Sequence, residues 1–214
     1  MISSITGVGE SSQVKISLHG DMRPTTDDPR LISPQCRDLL PVETVHENPW
    51  FCVKNRGGFY TIEYEHPQVL VLPIVDRSSI VMVRAYRPII SDETLELPAG
   101  SVNKDETPIN GAVREFVEET GIEINEPNRF EMLPPLVHTP RSPCLPYIFQ
   151  IHLSQQEYDQ RAFHDGEIVG VECLKFNDVQ NKIGAGEIYI GLQIAILMRF
   201  FLKNKIVVFK NGIY

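Results

Sequence analysis

Four glutamates and an arginine crowd one short stretch of this 214-residue chain: Glu106, Arg114, Glu115, Glu118 and Glu119, with Gly100 ahead of them. Carboxylates are the hard oxygen ligands that Mg²⁺ takes, usually one or two together with substrate phosphates and waters. On a helix, Glu115 and Glu119 lie four residues apart, so their carboxylates project together. Crowded like charges destabilise a helix unless something neutralises them. The plain alternative is a solvated acidic face with Arg114 pairing Glu118 one turn on. Gly100 and Glu106 argue against it, because neither has a place in a merely solvated helix. Gly100 allows a tight loop that brings backbone close to a metal. Glu106 is placed to brace that loop through Arg114.

The element that must carry these acids reads as a helix with both ends marked. Thr107 is a good N-cap, and Pro108 falls at the first helical position, where its missing N–H costs nothing. Gly121 supplies a left-handed stop. Between them Ile109, Ala112, Val113, Phe116, Val117 and Thr120 form an apolar stripe facing a core. Glu115 and Glu118 fall on the opposite side and Glu119 on its edge.

From Gly100 to Ile122 the spacing is G-x5-E-x7-R-E-Φ-x-E-E-x-G-Φ, with Φ a bulky apolar residue. A chance match in such a chain has odds of about one in a million. The pattern resembles the Nudix box, and the chain is similar to the Nudix hydrolases. That resemblance implies an α/β/α sandwich with a mixed sheet. It implies a divalent cation, Mg²⁺ with Mn²⁺ as substitute, held by Glu115, Glu118, Glu119 and the carbonyl of Ala99. The implied reaction is hydrolysis of the diphosphate linkage in a nucleotide derivative.

The flanks Val83–Pro88 and Leu95–Gly100 look like the ADP-ribose pyrophosphatase branch. By that resemblance Arg87 contacts phosphate, and an arginine at a strand end can grip a diphosphate bidentately. Glu96 either touches the substrate's sugar or braces the loop. The branch also carries a small β domain ahead of the catalytic one that builds a homodimer. Trp50 would then stack on the base, or else simply pack the hairpin against the sheet. Arg56, read as a turn residue, would reach a phosphate of the partner subunit. Downstream, Glu167 matches an extra carboxylate that orients or deprotonates water, or binds a further metal. One stretch departs from the branch: His138–Cys144 lacks the Pro-Gly motif and the acid found in sugar-nucleotide members, and adds Arg141. An extra arginine suits a diphosphate or a further phosphate. The expected substrate is a nucleoside diphosphate sugar, ADP-ribose first, giving a nucleoside monophosphate and a sugar phosphate. A dinucleoside polyphosphate, NADH, or a non-catalytic nucleotide-sugar sensor are the alternatives.

The rest of the chain fits this reading. Residues 1–66 form an extension with a β-hairpin at Trp50–Tyr64, and residues 67–214 form the main domain. Strands are expected at Val69–Val75, Ile80–Tyr86, Phe130–Leu133, Tyr147–Leu153 and Val169–Phe176. A last helix is expected over Ile188–Lys203, with Leu192, Ala195, Ile196, Arg199 and Phe200 on one side. A net charge of −8 and no Lys/Arg run argue against a nucleic-acid groove. The four cysteines are scattered without C-x-x-C spacing, which fits reduced thiols in the cytoplasm. The longest apolar segment, Ile188–Leu202, is interrupted by Gln193 and Arg199 and is too short to span a bilayer.

Overall fold

The computed structural model describes residues 40–139, 141–142, 145–164, 166 and 168–206. A three-stranded antiparallel sheet comes first: β1 (Val42–Glu47), β2 (Cys52–Arg56) and β3 (Phe59–Glu63), in that order. The expected hairpin is therefore one edge short. All six residues of β1 are exposed, so no buried alternation marks Val42–Glu47 as a strand.

The second sheet has seven strands. They are β4 (Gln68–Val75), β5 (Ser79–Arg87), β6 (Asp92–Glu96), β7 (Ala99–Ser101), β8 (Glu131–Leu133), β9 (Tyr147–Leu153) and β10 (Ile168–Lys175). The main path runs β10-β5-β4-β9-β8, with β6 on β5 and β7 on β4. β4 and β9 are parallel, and the other pairs are antiparallel. The sheet is mixed, as expected.

Among the described residues four α-helices complete the fold: α1 (Pro108–Thr120), α2 (Gln155–Asp159), α3 (Phe176–Ala185) and α4 (Gly191–Lys203). Strand alternation sorts the core into two layers. Val69, Val71 and Val75 of β4 pack with Ala112 and Phe116 of α1. Leu70, Leu72 and Ile74 pack with Phe176 of α3 and with Ile196, Leu197 and Phe200 of α4. A sheet buried on both faces reads as a continuous apolar run, and β4 reads so.

Three expectations need correction. Only two helices were expected; α2 and α3 are additional. Ser154 and Glu157 close a capping box that starts α2. Phe176 ends no strand but begins α3. Finally, α4 starts at Gly191 and buries Gln193, Ile196, Leu197, Phe200 and Phe201. Leu192, Ala195 and Arg199 are only partly buried. A helix apolar nearly all round gives no clear stripe, so sequence could not fix its inward face.

Candidate active site

The N-terminus of α1 is built as its residues dictate. The Thr107 side chain accepts the Asn110 N–H at 3.4 Å, and Pro108 follows it. At the other end Gly121 has φ 68°, and its N–H donates to the Val117 carbonyl. Ala112, Phe116 and Thr120 are buried, which turns Arg114, Glu115, Glu118 and Glu119 toward the β7 loop.

Gly100 meets that helix face with no room to spare. A Cβ there would lie 2.0 Å from Cδ of Glu115, far inside van der Waals contact. One residue earlier, the Ala99 N–H donates to Oε2 of Glu119 at 2.8 Å. Both acids of the i, i+4 pair thus touch the same three-residue strand.

Arg114 ties the cluster together. Its guanidinium donates to Glu106 at 3.1 and 3.2 Å, to Glu115 at 2.9 Å and to Glu118 at 3.0 Å. It also reaches the Ser101 carbonyl at 2.7 Å. Glu106 in turn accepts the Asn103 N–H at 2.9 Å. The brace expected from Glu106 through Arg114 to the loop is present, and Arg114 also makes the i, i+4 pair with Glu118 that the plain alternative named.

The electrostatics separate two of the three acids that Arg114 contacts. Burial works against the charge of Glu106, but the Arg114 and Asn103 hydrogen bonds outweigh it and hold the carboxyl below its ordinary value. Burial pushes the Glu115 carboxyl above its ordinary value; Arg114 opposes this, and the charges of Glu118 and Glu106 add to it. A buried carboxylate flanked by two others is a group that a cation would stabilise. These oxygens, and a backbone cradle that only glycine permits, suit a hard divalent cation. Among the described residues no three His, Cys, Asp or Glu side chains are already gathered as a cage. Here Arg114 engages Glu115 and Glu118, while Glu119 is turned to Ala99.

Beside the cluster lies a cavity of about 260 Å³, bounded by Glu96 and Ala99 on one side and by Tyr64, His66, His138 and Gln193 among others. Glu96 is buried at 5% exposure. It accepts from Arg87 at 2.7 and 3.0 Å, and Thr94 Oγ1 donates to it at 2.5 Å. Arg87 and Glu96 are therefore one unit at the cavity's edge. Sequence reading singled out both residues without pairing them.

A family model described as NUDIX domain matches residues 64–190, more than half of the chain. The chain belongs to the Nudix family. Nudix enzymes generally use divalent metal ions. Two curated relatives align over short stretches of the chain. "Methanol dehydrogenase activator" from Bacillus methanolicus is 42% identical over 62 residues, 28% of this chain and 34% of that protein. "ADP-ribose pyrophosphatase" from Bacillus subtilis (strain 168) is 41% identical over 58 residues, 27% of this chain and 31% of that protein. The chain thus matches about a third of the length of each. A solved structure described as ADP compounds hydrolase superposes with a TM-score of 0.56 at 19% identity. The match covers 78% of this chain and 94% of that one, and it shows a shared Nudix fold.

The remaining candidates of this Nudix chain lie apart from the cluster. Trp50 is 75% exposed, so it does not pack the hairpin against the sheet; its N–H donates to Asn48 Oδ1 at 2.9 Å. Arg56 is the last residue of β2 rather than a turn residue. It is 3% exposed and donates to Glu63 at 2.6 and 2.9 Å. Its guanidinium pairs within the chain with Glu63. Arg141 is exposed, and its carbonyl accepts the Ile62 N–H at 3.0 Å, joining β3 to the connection between β8 and β9. Glu167 lies outside the described residues. Among the described residues no helix is long and apolar enough to cross a membrane. Gln193, which no motif flagged, reaches the site from α4.

Proposed function

We propose that this protein is a metal-dependent pyrophosphatase that hydrolyses the diphosphate linkage of a nucleoside diphosphate sugar, with ADP-ribose preferred. The observation that carries the reading is the convergence of Ala99, Gly100, Glu115 and Glu119 beside a cavity edged by the Arg87–Glu96 pair. Glu115, Glu118, Glu119 and the Ala99 carbonyl would hold the metal. Bound there, Mg²⁺, or Mn²⁺ in its place, neutralises the diphosphate and lowers the pKa of a water.

The chain's own residues supply the rest. Arg114 and Glu106 keep the loop and the helix face at fixed separation. Arg87, aimed by Glu96, grips a phosphate of the substrate. The cavity walls exclude bulk water from the sugar end, with Arg141 available to a further phosphate. Glu167 is the proposed extra carboxylate that orients or deprotonates the attacking water. The products would be a nucleoside monophosphate and a sugar phosphate, and no covalent enzyme intermediate is required.

A homodimer fits the exposed apolar surface of the first sheet. Trp50, Phe59, Tyr60 and Ile62 are all at least 42% exposed, and clustered apolar exposure marks an interaction site. Trp50 would stack on the base of a nucleotide held mainly by the other subunit. A screen of ADP-ribose, other sugar nucleotides, dinucleoside polyphosphates and NADH with Mg²⁺ tests the assignment. Monophosphate release from ADP-ribose supports it. Tight binding without turnover would indicate a sensor.

A further inference from the structure

Gln193 lies in the first turn of α4 and is 3% exposed, among inward neighbours that are all apolar: Ile196, Leu197, Phe200 and Phe201. A buried carboxamide costs free energy unless it is hydrogen-bonded. Its Oε1 accepts the Leu97 N–H at 2.9 Å. A backbone N–H can only donate, so this bond fixes which end of the amide faces the strand. Nε2 is thereby turned toward Oε2 of Glu96, a long 3.4 Å contact made to a carboxylate in a buried setting. That same oxygen accepts Nη2 of Arg87 at 3.0 Å. Four residues earlier, the Tyr189 hydroxyl donates to Asp92 at 2.6 Å, and Asp92 pairs with Arg87 across the strands. The segment 189–193 therefore clamps β6 at both ends.

We infer that Gln193 is a positioning residue, which holds Glu96 in the orientation that aims Arg87 at the substrate's diphosphate. The inference rests on the proposed role of Arg87. A carboxylate with two oxygens can swing about its stem; Arg87 restrains it from β5, Thr94 from β6, and Gln193 from the helical layer. Removal of the amide also orphans the Leu97 N–H, in the short link from β6 to Ala99 and Gly100 of β7.

The test is a double-mutant cycle in the full chain, with ADP-ribose and Mg²⁺. Gln193→Met keeps the volume and removes both hydrogen bonds. Gln193→Glu keeps the acceptor for Leu97 but sets a carboxylate against Glu96. Both should raise KM about five- to tenfold, with kcat changed less than about threefold, the scale of coupling between residues in one network. In an Arg87→Ala background either change should move KM less than about twofold. A merely structural role predicts the same factor in both backgrounds, and that result overturns the inference. So do a wild-type KM in both variants, or loss of folding in both by thermal melting. An Arg87→Ala protein with parental KM overturns the phosphate reading itself, and the inference falls with it. That outcome is distinct from a defective Arg87→Ala to which the Gln193 changes simply add.

Discussion

The carboxylate of Glu115 stands where a side chain on residue 100 would begin, 2.0 Å from the position a Gly100 Cβ would take. This approach, and not the backbone turn, is what favours glycine at residue 100, because a Cβ there would displace the Glu115 carboxylate. Gly100→Ala must push Glu115 away from the loop. Displacing a catalytic group by about 1 Å can cost about a hundredfold in rate. We expect Gly100→Ala to lose about that much kcat while its melting temperature falls by only a few degrees. Parental turnover, measured as Mg²⁺-dependent monophosphate release, would show that the contact has no catalytic meaning.

Glu106 has the opposite signature. It accepts from Arg114 and from the Asn103 N–H but only braces the loop. Glu106→Gln should cost about 1.5–3 kcal/mol of stability, the range for hydrogen bonds to charged groups. Turnover at a temperature where the variant is folded should stay close to parental. A large kcat loss with normal melting contradicts the bracing role.

How far the sequence could be read depended on whether a feature was local. The N-cap at Thr107, the stop at Gly121 and the acid face of α1 are set by neighbours within a turn or two, and each stands as expected. The pairing of Arg87 with Glu96 depends on the β5–β6 register, which the spacing of two motifs does not reveal. Gln193 and Leu97 are 96 residues apart, and only the packing of α4 brings them together. The β1 strand escaped notice because water covers it, which leaves its sequence no apolar alternation. Arg56 was displaced from the turn by one step of hairpin register: Gly57 and Gly58 make the turn, and Arg56 closes the strand opposite Phe59.

Arg87→Ala removes a bidentate contact and should lower kcat/KM by about 1.5–3 kcal/mol. Arg87 has its side chain at 47% exposure, but the change also leaves the Glu96 carboxylate, at 7%, without its countercharge, so the kinetics are to be compared at a temperature where the variant is folded. Kinetics within twofold of the parent would assign this arginine to the surface.

The buried pair in the first sheet predicts a pH dependence of stability. Burial opposes charge on Glu63, but hydrogen bonds from Arg56, Thr61 and Lys54 prevail and lower its pKa from 4.5 to about 2. A carboxyl with a depressed folded-state value stabilises the fold above its unfolded value and loses that contribution as pH falls toward the folded one. Stability should therefore drop between about pH 5 and pH 2, by on the order of 2–3 kcal/mol from this group. Glu63→Gln should be weaker at pH 6, because Arg56 is left buried without its countercharge, and its urea midpoint should vary less with acidity. An unchanged pH profile in Glu63→Gln would exclude Glu63 as the source.

Trp50 is exposed on the first sheet, where base stacking and dimer contact are both open to it. Stacking is made alike in ground and transition states. Trp50→Ala should then raise KM for nucleotides more than it lowers kcat. Sedimentation should give a dimer. A fully active monomer at working concentration removes the shared-site proposal, whereas a dimer whose Trp50→Ala variant keeps its KM confines Trp50 to assembly.

The central claim is that the acids of α1 do metal-assisted chemistry on a diphosphate. The most direct measurement is turnover of ADP-ribose with Mg²⁺ by the parent, Glu115→Gln and Glu119→Gln, with products identified and melting recorded. The account predicts monophosphate and sugar phosphate from the parent. It predicts a kcat lower by orders of magnitude in both variants, at near-parental melting temperature, because the charges removed lie outside the core. Unchanged turnover in both variants would contradict it.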